Sequence, residues 1–160
     1  MTTFKIFGRG AESVDRTRRV LGRACFLSGL DTVDFIVRTL EPNGYNIAYV
    51  NADKELAPKY PEACDYVVAL DEKFPAKMLD DMKDGSVIFS GGIEKIASKK
   101  FRVKSHLVNA PDNKEMALLG GLTKDFSKVS IKSMKAAIEE ELGHEKSPQA
   151  AFDEGYKSVK

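Results

Sequence analysis

The sequence predicts an α/β fold, a three-layer α/β/α sandwich around a mixed, mainly parallel sheet. Three observations carry this expectation. Short apolar runs recur along the chain with helical periodicity between several of them. The run Asp65 to Leu70 is apolar at every position after its first, as in strands covered on both faces. A turn at Pro42-Asn43-Gly44 joins two apolar runs like a hairpin, so at least one antiparallel pair belongs to the sheet.

The elements follow in order. Phe4 to Phe7 is a short apolar strand that runs into the glycine turn Gly8-Arg9-Gly10. Glu12 to Ser28 reads as a helix, with Val14, Leu21, Ala24, Cys25 and Ser28 on one stripe and Arg16, Arg19 and Arg23 opposite. Gly29 is placed to terminate it. Thr32 to Val37 is a β-branched second strand and Ile47 to Val50 a third, followed by the strand Asp65 to Leu70. Pro75 to Lys83 reads as a helix, with proline near its first turn and Gly85 after it. Ser86 to Phe89 and Arg102 to Val108 are further strands. Three helices close the chain: Glu115 to Asp125, Ser130 to Leu142 and Pro148 to Lys157. In the second, Ile131, Met134, Ile138 and Leu142 share a stripe, Ser130 is placed as its cap and Gly143 as its stop.

Composition bounds the function. A chain of 160 residues with 42% apolar and 31% charged residues suits one globular domain with a sizeable core. A formal charge of +1 gives no electrostatic case for nucleic acid or a membrane surface. The apolar runs are too short to span a bilayer, and Met1-Thr2-Thr3-Phe4-Lys5 resembles no secretory leader; a cytoplasmic location is expected. Cys25 and Cys64 lack any paired spacing, which argues against disulfides, zinc and cysteine-held clusters.

The turn Gly8-Arg9-Gly10-Ala11-Glu12-Ser13 is the candidate site, because unpaired N–H groups converge where a strand feeds a helix. A dinucleotide fingerprint requires a third glycine where Ser13 stands. Glu12 suits the helix dipole but repels a bound phosphate, and Val37-Arg38-Thr39 offers no acidic residue for a ribose. No phosphate-loop pattern occurs, and Ser90-Gly91-Gly92 is not a nucleophile elbow. The arginine stripe reads as a solvated face or a grip on an acidic partner. His106 and His144 read as surface or satisfied polar positions, and Asp80-Asp81 and Glu139-Glu140-Glu141 as solvated faces. No metal constellation or acid–base pair stands out, so catalysis by this chain alone is not expected.

The order of elements, taken with particular residues, resembles the gamma subunit of the 2-oxoacid:ferredoxin oxidoreductases. Phe7-Gly8-Arg9-Gly10 matches the first half of that family's opening G-R-G-G-Q-G. Val20-Leu21-Gly22-Arg23-Ala24-Cys25-Phe26-Leu27-Ser28-Gly29 follows its first helix, and Cys64-Asp65-Tyr66-Val67-Val68-Ala69-Leu70-Asp71 its buried strand. Ala117-Leu118-Leu119-Gly120-Gly121-Leu122, the helix from Val129 to Ile138 and the tail Ala151 to Tyr156 follow in the same order. The resemblance covers nearly the whole chain and implies one gamma-type domain over residues 1–160.

The departures are specific. The second half of the glycine motif is Ala11-Glu12-Ser13, the loop Leu40-Glu41-Pro42-Asn43-Gly44-Tyr45 lacks the family's arginines, and Glu115 stands where an asparagine is usual. Those lost positions are of the types that hold anionic groups.

The resemblance implies a subunit of a hetero-oligomeric enzyme that oxidatively decarboxylates a 2-oxoacid. Thiamine diphosphate with Mg²⁺, the [4Fe–4S] clusters and the 2-oxoacid would sit on alpha, beta and ferredoxin-like (delta) partners, and coenzyme A is a possible acceptor. Gly8, Arg9, Gly10 and Ser13 are then the expected contact toward cofactor or partner. The departures point to an unusual substrate or to an enzyme that does not use coenzyme A, as in oxalate-type members. The alternatives are a stand-alone nucleotide binder using the glycine turn and a non-catalytic scaffold derived from the gamma fold.

Overall fold

A computed structural model describes residues 1–38, 44–58, 63–109 and 112–160. The strand β1 (Thr2–Gly8) leads into α1 (Ala11–Leu27), followed by β2 (Asp31–Arg38), β3 (Asn46–Asp53) and β4 (Cys64–Ala69). One 3₁₀ turn, Ala76–Leu79, precedes β5 (Met82–Ser90) and β6 (Lys104–Leu107); α2 (Lys114–Asp125), α3 (Ile131–Leu142) and α4 (Lys146–Ser158) complete the order. The six strands form one sheet in the order β2-β3-β1-β4-β5-β6. β4 runs parallel to β1 and to β5, and β5 to β6, whereas β3 is antiparallel to both β1 and β2. The sheet is therefore mixed and mostly parallel, with the expected antiparallel pair formed by β2 and β3. The turn assigned to Pro42-Asn43-Gly44 falls, at positions 42 and 43, outside the described residues.

Alternation along the strands sorts side chains into two cores. Phe4 and Ile6 of β1, Ala48 and Val50 of β3, Val68 of β4 and Val87 and Phe89 of β5 join residues of all four helices in the larger core. Across the sheet on this side runs an aromatic row: Phe4 stacks on Tyr66 (5.3 Å), Tyr66 on Phe89 (6.4 Å) and Phe89 on His106 (5.3 Å). Each fully buried phenylalanine in it contributes about 2–3 kcal/mol of transfer free energy. Phe7, Val67, Ala69 and Ile88 point the other way, toward Met78, Leu79, Phe74, Phe101 and Val103. Among the described residues, the layer on that face of the sandwich is thus the 3₁₀ turn and irregular chain, with the helices gathered on the opposite face.

Helices α2 and α4 cross in backbone contact. A Cβ on Gly155 would lie 1.9 Å from the carbonyl oxygen of Ala117, and one on Gly120 would lie 2.2 Å from that of Phe152. Only glycine at both positions permits this approach. The helix ends obey local rules: Ser130 Oγ accepts from the Ser133 N–H (3.0 Å), and Gly29 and Gly143 stop α1 and α3 with φ of +83° and +84°.

The helix expected over Pro75 to Lys83 is corrected. Only Ala76–Leu79 is helical, as a single 3₁₀ turn, and the strand β5 begins at Met82. The cause is tertiary. In a continuing α-helix the carbonyl of Met78 would accept from the N–H of Met82; here it accepts from Lys5 Nζ at 2.6 Å. The Asp81 carbonyl is likewise taken by the N–H of Cys64 (2.7 Å). Gly85, expected as a helix stop, lies inside β5 with φ +91°, near the register shift between β4 and β5.

Candidate functional site

The crevice follows from the topology. β1 connects through α1 toward β2 on one side, while its parallel neighbour β4 lies on the other; this is a switch point, beyond whose carboxyl strand ends open α/β sheets form their crevice. The sequence-derived site residues Gly8, Arg9, Gly10 and Ser13 all stand at its mouth, between β1 and α1.

Gly8 closes the strand where a Cβ would lie 3.0 Å from Leu70 Cβ. Arg9 is held by its backbone from both sides: its N–H donates to Asp71 Oδ2 (2.8 Å) and its carbonyl accepts from Asn46 Nδ2 (3.0 Å). Its guanidinium carbon lies 5.5 Å from the Tyr45 ring centroid, leaving an exposed cation stacked on an aromatic face. Gly10 is the N-cap of α1, extended at φ −78° and ψ 109°, and supplies no side-chain cap. Its carbonyl accepts from the Val14 N–H (3.1 Å). Ser13 sits in the first turn with its carbonyl accepting from Thr17 Oγ1 (2.7 Å).

The first turn of α1 is therefore uncapped yet carries the exposed carboxylate of Glu12. A Cβ on Gly10 would meet only Ser13, at 3.6 Å and beyond. Glu12 places a negative charge in the first turn, where it suits the helix dipole.

The far wall is built from β5 and α2. The Lys114 stem lies over Gly91, where a Cβ would fall 3.0 Å from Lys114 Cε, and Glu72 lies against Gly92. Asn113, the N-cap of α2, is left-handed at φ 48°, and its Nδ2 donates to Ser147 Oγ. Arg16 Nη1 donates to Glu115 Oε1 (3.1 Å), joining the start of α1 to that of α2. Sequence reading missed Tyr45 and Asn46 as neighbours of the turn. It also gave no role to Asp71, whose position just past a buried strand was the available signal.

The arginine stripe is neither a merely solvated face nor an open grip. Arg19 Nη1 lies 3.7 Å from Glu141 Oε2, and Arg23 Nε 2.5 Å from Glu140 Oε2, so α1 and α3 exchange ion pairs. His106 is stacked on Phe89, and burial, then Lys104, lowers its pKa. His144 Nδ1 is 2.8 Å from Glu139 Oε1 at the surface. Burial pushes the Cys25 thiol up to about 12 and the Cys64 thiol higher still, which leaves both without thiolate reactivity near neutral pH. Among the described residues no group of three His, Cys, Asp or Glu could hold a metal, and no helix is long and apolar enough to cross a membrane.

No family model matches the sequence, and no curated protein matches it. Solved structures do. Pyruvate oxidoreductase subunit PORC from Thermotoga maritima superposes at a TM-score of 0.82 with 16% identity, over 99% of this chain and 97% of that one. The gamma subunit of a keto/oxoacid ferredoxin oxidoreductase from Geobacter sulfurreducens gives 0.79 and 17%, over 99% and 98%. The 2-oxoglutarate:ferredoxin oxidoreductase from Magnetococcus marinus, with 2-oxoglutarate, coenzyme A and succinyl-CoA bound, gives 0.75 and 20%, over 99% of this chain and 31% of that one. The chain has the fold of these oxidoreductase subunits from end to end, at a divergent sequence.

Proposed function

We propose that this chain is the gamma-type subunit of a multi-subunit 2-oxoacid oxidoreductase that decarboxylates its substrate oxidatively. The observation that supports this most is end-to-end superposition on two separate subunits of such enzymes, each covered over nearly its whole length. The motif order in the sequence supports it independently, since Phe7-Gly8-Arg9-Gly10 opens the crevice that the fold creates.

In this reading thiamine diphosphate, Mg²⁺, the [4Fe–4S] clusters and the 2-oxoacid belong to partner subunits, and electrons pass to ferredoxin or a similar acceptor. This chain completes the assembly and flanks the active site through the Arg9 turn. Glu12 in the first turn of α1 supports an enzyme in which this subunit grips no phosphate, consistent with a reaction that does not use coenzyme A. The test is genetic and enzymatic: a strain deleted for this chain is assayed for 2-oxoacid-dependent reduction of a viologen dye. One such activity should vanish and return with the gene restored. Retention of every such activity contradicts the proposal, and strict coenzyme A dependence of the restored activity contradicts its acceptor clause.

A further inference from the structure

On the helix-free face, a groove of about 450 Å³ lies between the chain after β4 and the chain leading to β6. Phe74, Leu79 and Ile96 contribute its apolar lining, Lys73, Lys99 and Lys100 its cations, and Glu72 and Asp80 its carboxylates. Its volume falls in the range of sites that accept one large side chain or a small ligand. Both lips are fixed in advance. Tyr45 Oη donates to the Lys73 carbonyl (3.0 Å), and Phe74 packs edge-on against Phe7 at 4.7 Å. Opposite, the Ile96 N–H donates to Ser105 Oγ, and Ser98 Oγ accepts from the N–H groups of Lys100 and Phe101, all at 3.2 Å. A groove held this way loses little conformational freedom when filled.

Its three lysines outnumber its two carboxylates. In a chain with 25 basic and 24 acidic residues, the ten positions from Lys95 to Lys104 hold Lys95, Lys99, Lys100, Arg102 and Lys104 and no carboxylate. Lys100 is answered by Asp80 (2.9 Å), Arg102 by Asp84 (3.3 Å) and Lys104 by Asp125 (3.5 Å). Lys73 and Lys99, on opposite lips, form no ion pair among the described residues. Ile93, in the loop that leads into the groove, is 91% exposed. With Asp80 taken by Lys100, Lys73 and Lys99 outnumber the remaining carboxylate, Glu72, and an apolar floor between two such cations matches an apolar side chain flanked by carboxylates.

We propose that this groove docks an acidic segment of a partner protein, with a large apolar side chain on Phe74, Leu79 and Ile96 and carboxylates on Lys73 and Lys99. This deepens the subunit role by assigning the helix-free face to a partner. The experiment places a photoreactive amino acid at Ala97, which lines the groove, in the tagged full chain within its native assembly. Crosslinked peptides are then identified by mass spectrometry.

The expected adduct is one partner segment with carboxylates on both sides of an apolar residue, and Lys73→Glu with Lys99→Glu should lower its yield about tenfold. An adduct with a non-acidic segment, a yield indifferent to the charge reversal, an adduct with a small molecule, or none at all overturns the proposal. The two readings separate cleanly. An acidic adduct from a protein outside any thiamine enzyme keeps this inference and removes the subunit role. Co-purifying thiamine subunits without an adduct do the reverse.

Discussion

Arg16 Nη1 stands 3.1 Å from Glu115 Oε1, linking two helices 99 positions apart at the wall of the crevice. The carboxylate is the more buried partner, at 13% exposure against 36% for the arginine. Removing the cation therefore hurts more than neutralising the acid. Arg16→Ala is expected to cost about 1–2 kcal/mol, reduced from the fully buried case by the exposure of the arginine, and Glu115→Gln under about 1 kcal/mol. Urea denaturation of both single variants and the double variant checks this, and the double variant should recover part of the Arg16→Ala loss.

The three glycines Gly155, Gly120 and Gly10 should respond to alanine very differently. At Gly155 and Gly120 the new methyl meets backbone at 1.9 and 2.2 Å, so α2 and α4 must separate. Each substitution is expected to cost about 3 kcal/mol or more, seen as a lowered thermal midpoint. Gly10→Ala meets nothing closer than 3.6 Å at an extended φ, and should stay within about 1 kcal/mol.

Lys5 is 3% exposed in the middle of the sheet, with Nζ on Asp81 Oδ1 at 2.8 Å, while Tyr49 Oη donates to Asp81 Oδ2 at 2.6 Å. Asp81→Ala strands a buried ammonium and is expected to cost about 3–5 kcal/mol. Lys5→Met leaves behind a carboxylate with one-third of its side chain exposed and still bound by Tyr49, so its cost should be clearly smaller. Chemical denaturation of the two variants gives the ranking, and equal losses would contradict it.

Tyr66 supplies a pH dependence. Burial, helped by Asp125, pushes its phenol up to about 12 from an ordinary 10.0. The unfolded chain thus loses this proton first. The stability it contributes is complete below pH 10 and declines as pH rises from there toward 12. Burial raises Tyr49 as well, with the same sign. Denaturant midpoints measured upward from neutral pH should fall in that window, and Tyr66→Phe should flatten the fall.

Much of this architecture is legible in the residues because it is set locally. Val14, Leu21, Ala24 and Cys25 do face the core, and Ser130, Gly29 and Gly143 cap and stop their helices. The turn Gly8-Arg9-Gly10 is likewise found from a strand, two glycines and a helix. The rest depends on partners distant in sequence. A lysine at position 5 ends the helical pattern at Met78 by taking its carbonyl, 73 positions away. Arg16, Arg19 and Arg23 read as solvated until α2 and α3 bring Glu115, Glu141 and Glu140 to them. The clamp on Arg9 joins Asp71, signalled only by its place just past a buried strand, to Asn46, 37 positions from Arg9, whose spacing announces nothing.

The measurement that tests the subunit role most directly is native purification through a tag on this chain, with partner identification and assays of thiamine diphosphate and iron on one sample. The account predicts co-elution with thiamine-binding and cluster-bearing subunits in a fixed ratio, with both cofactors present. A chain that elutes alone, without thiamine diphosphate and without iron, would contradict it.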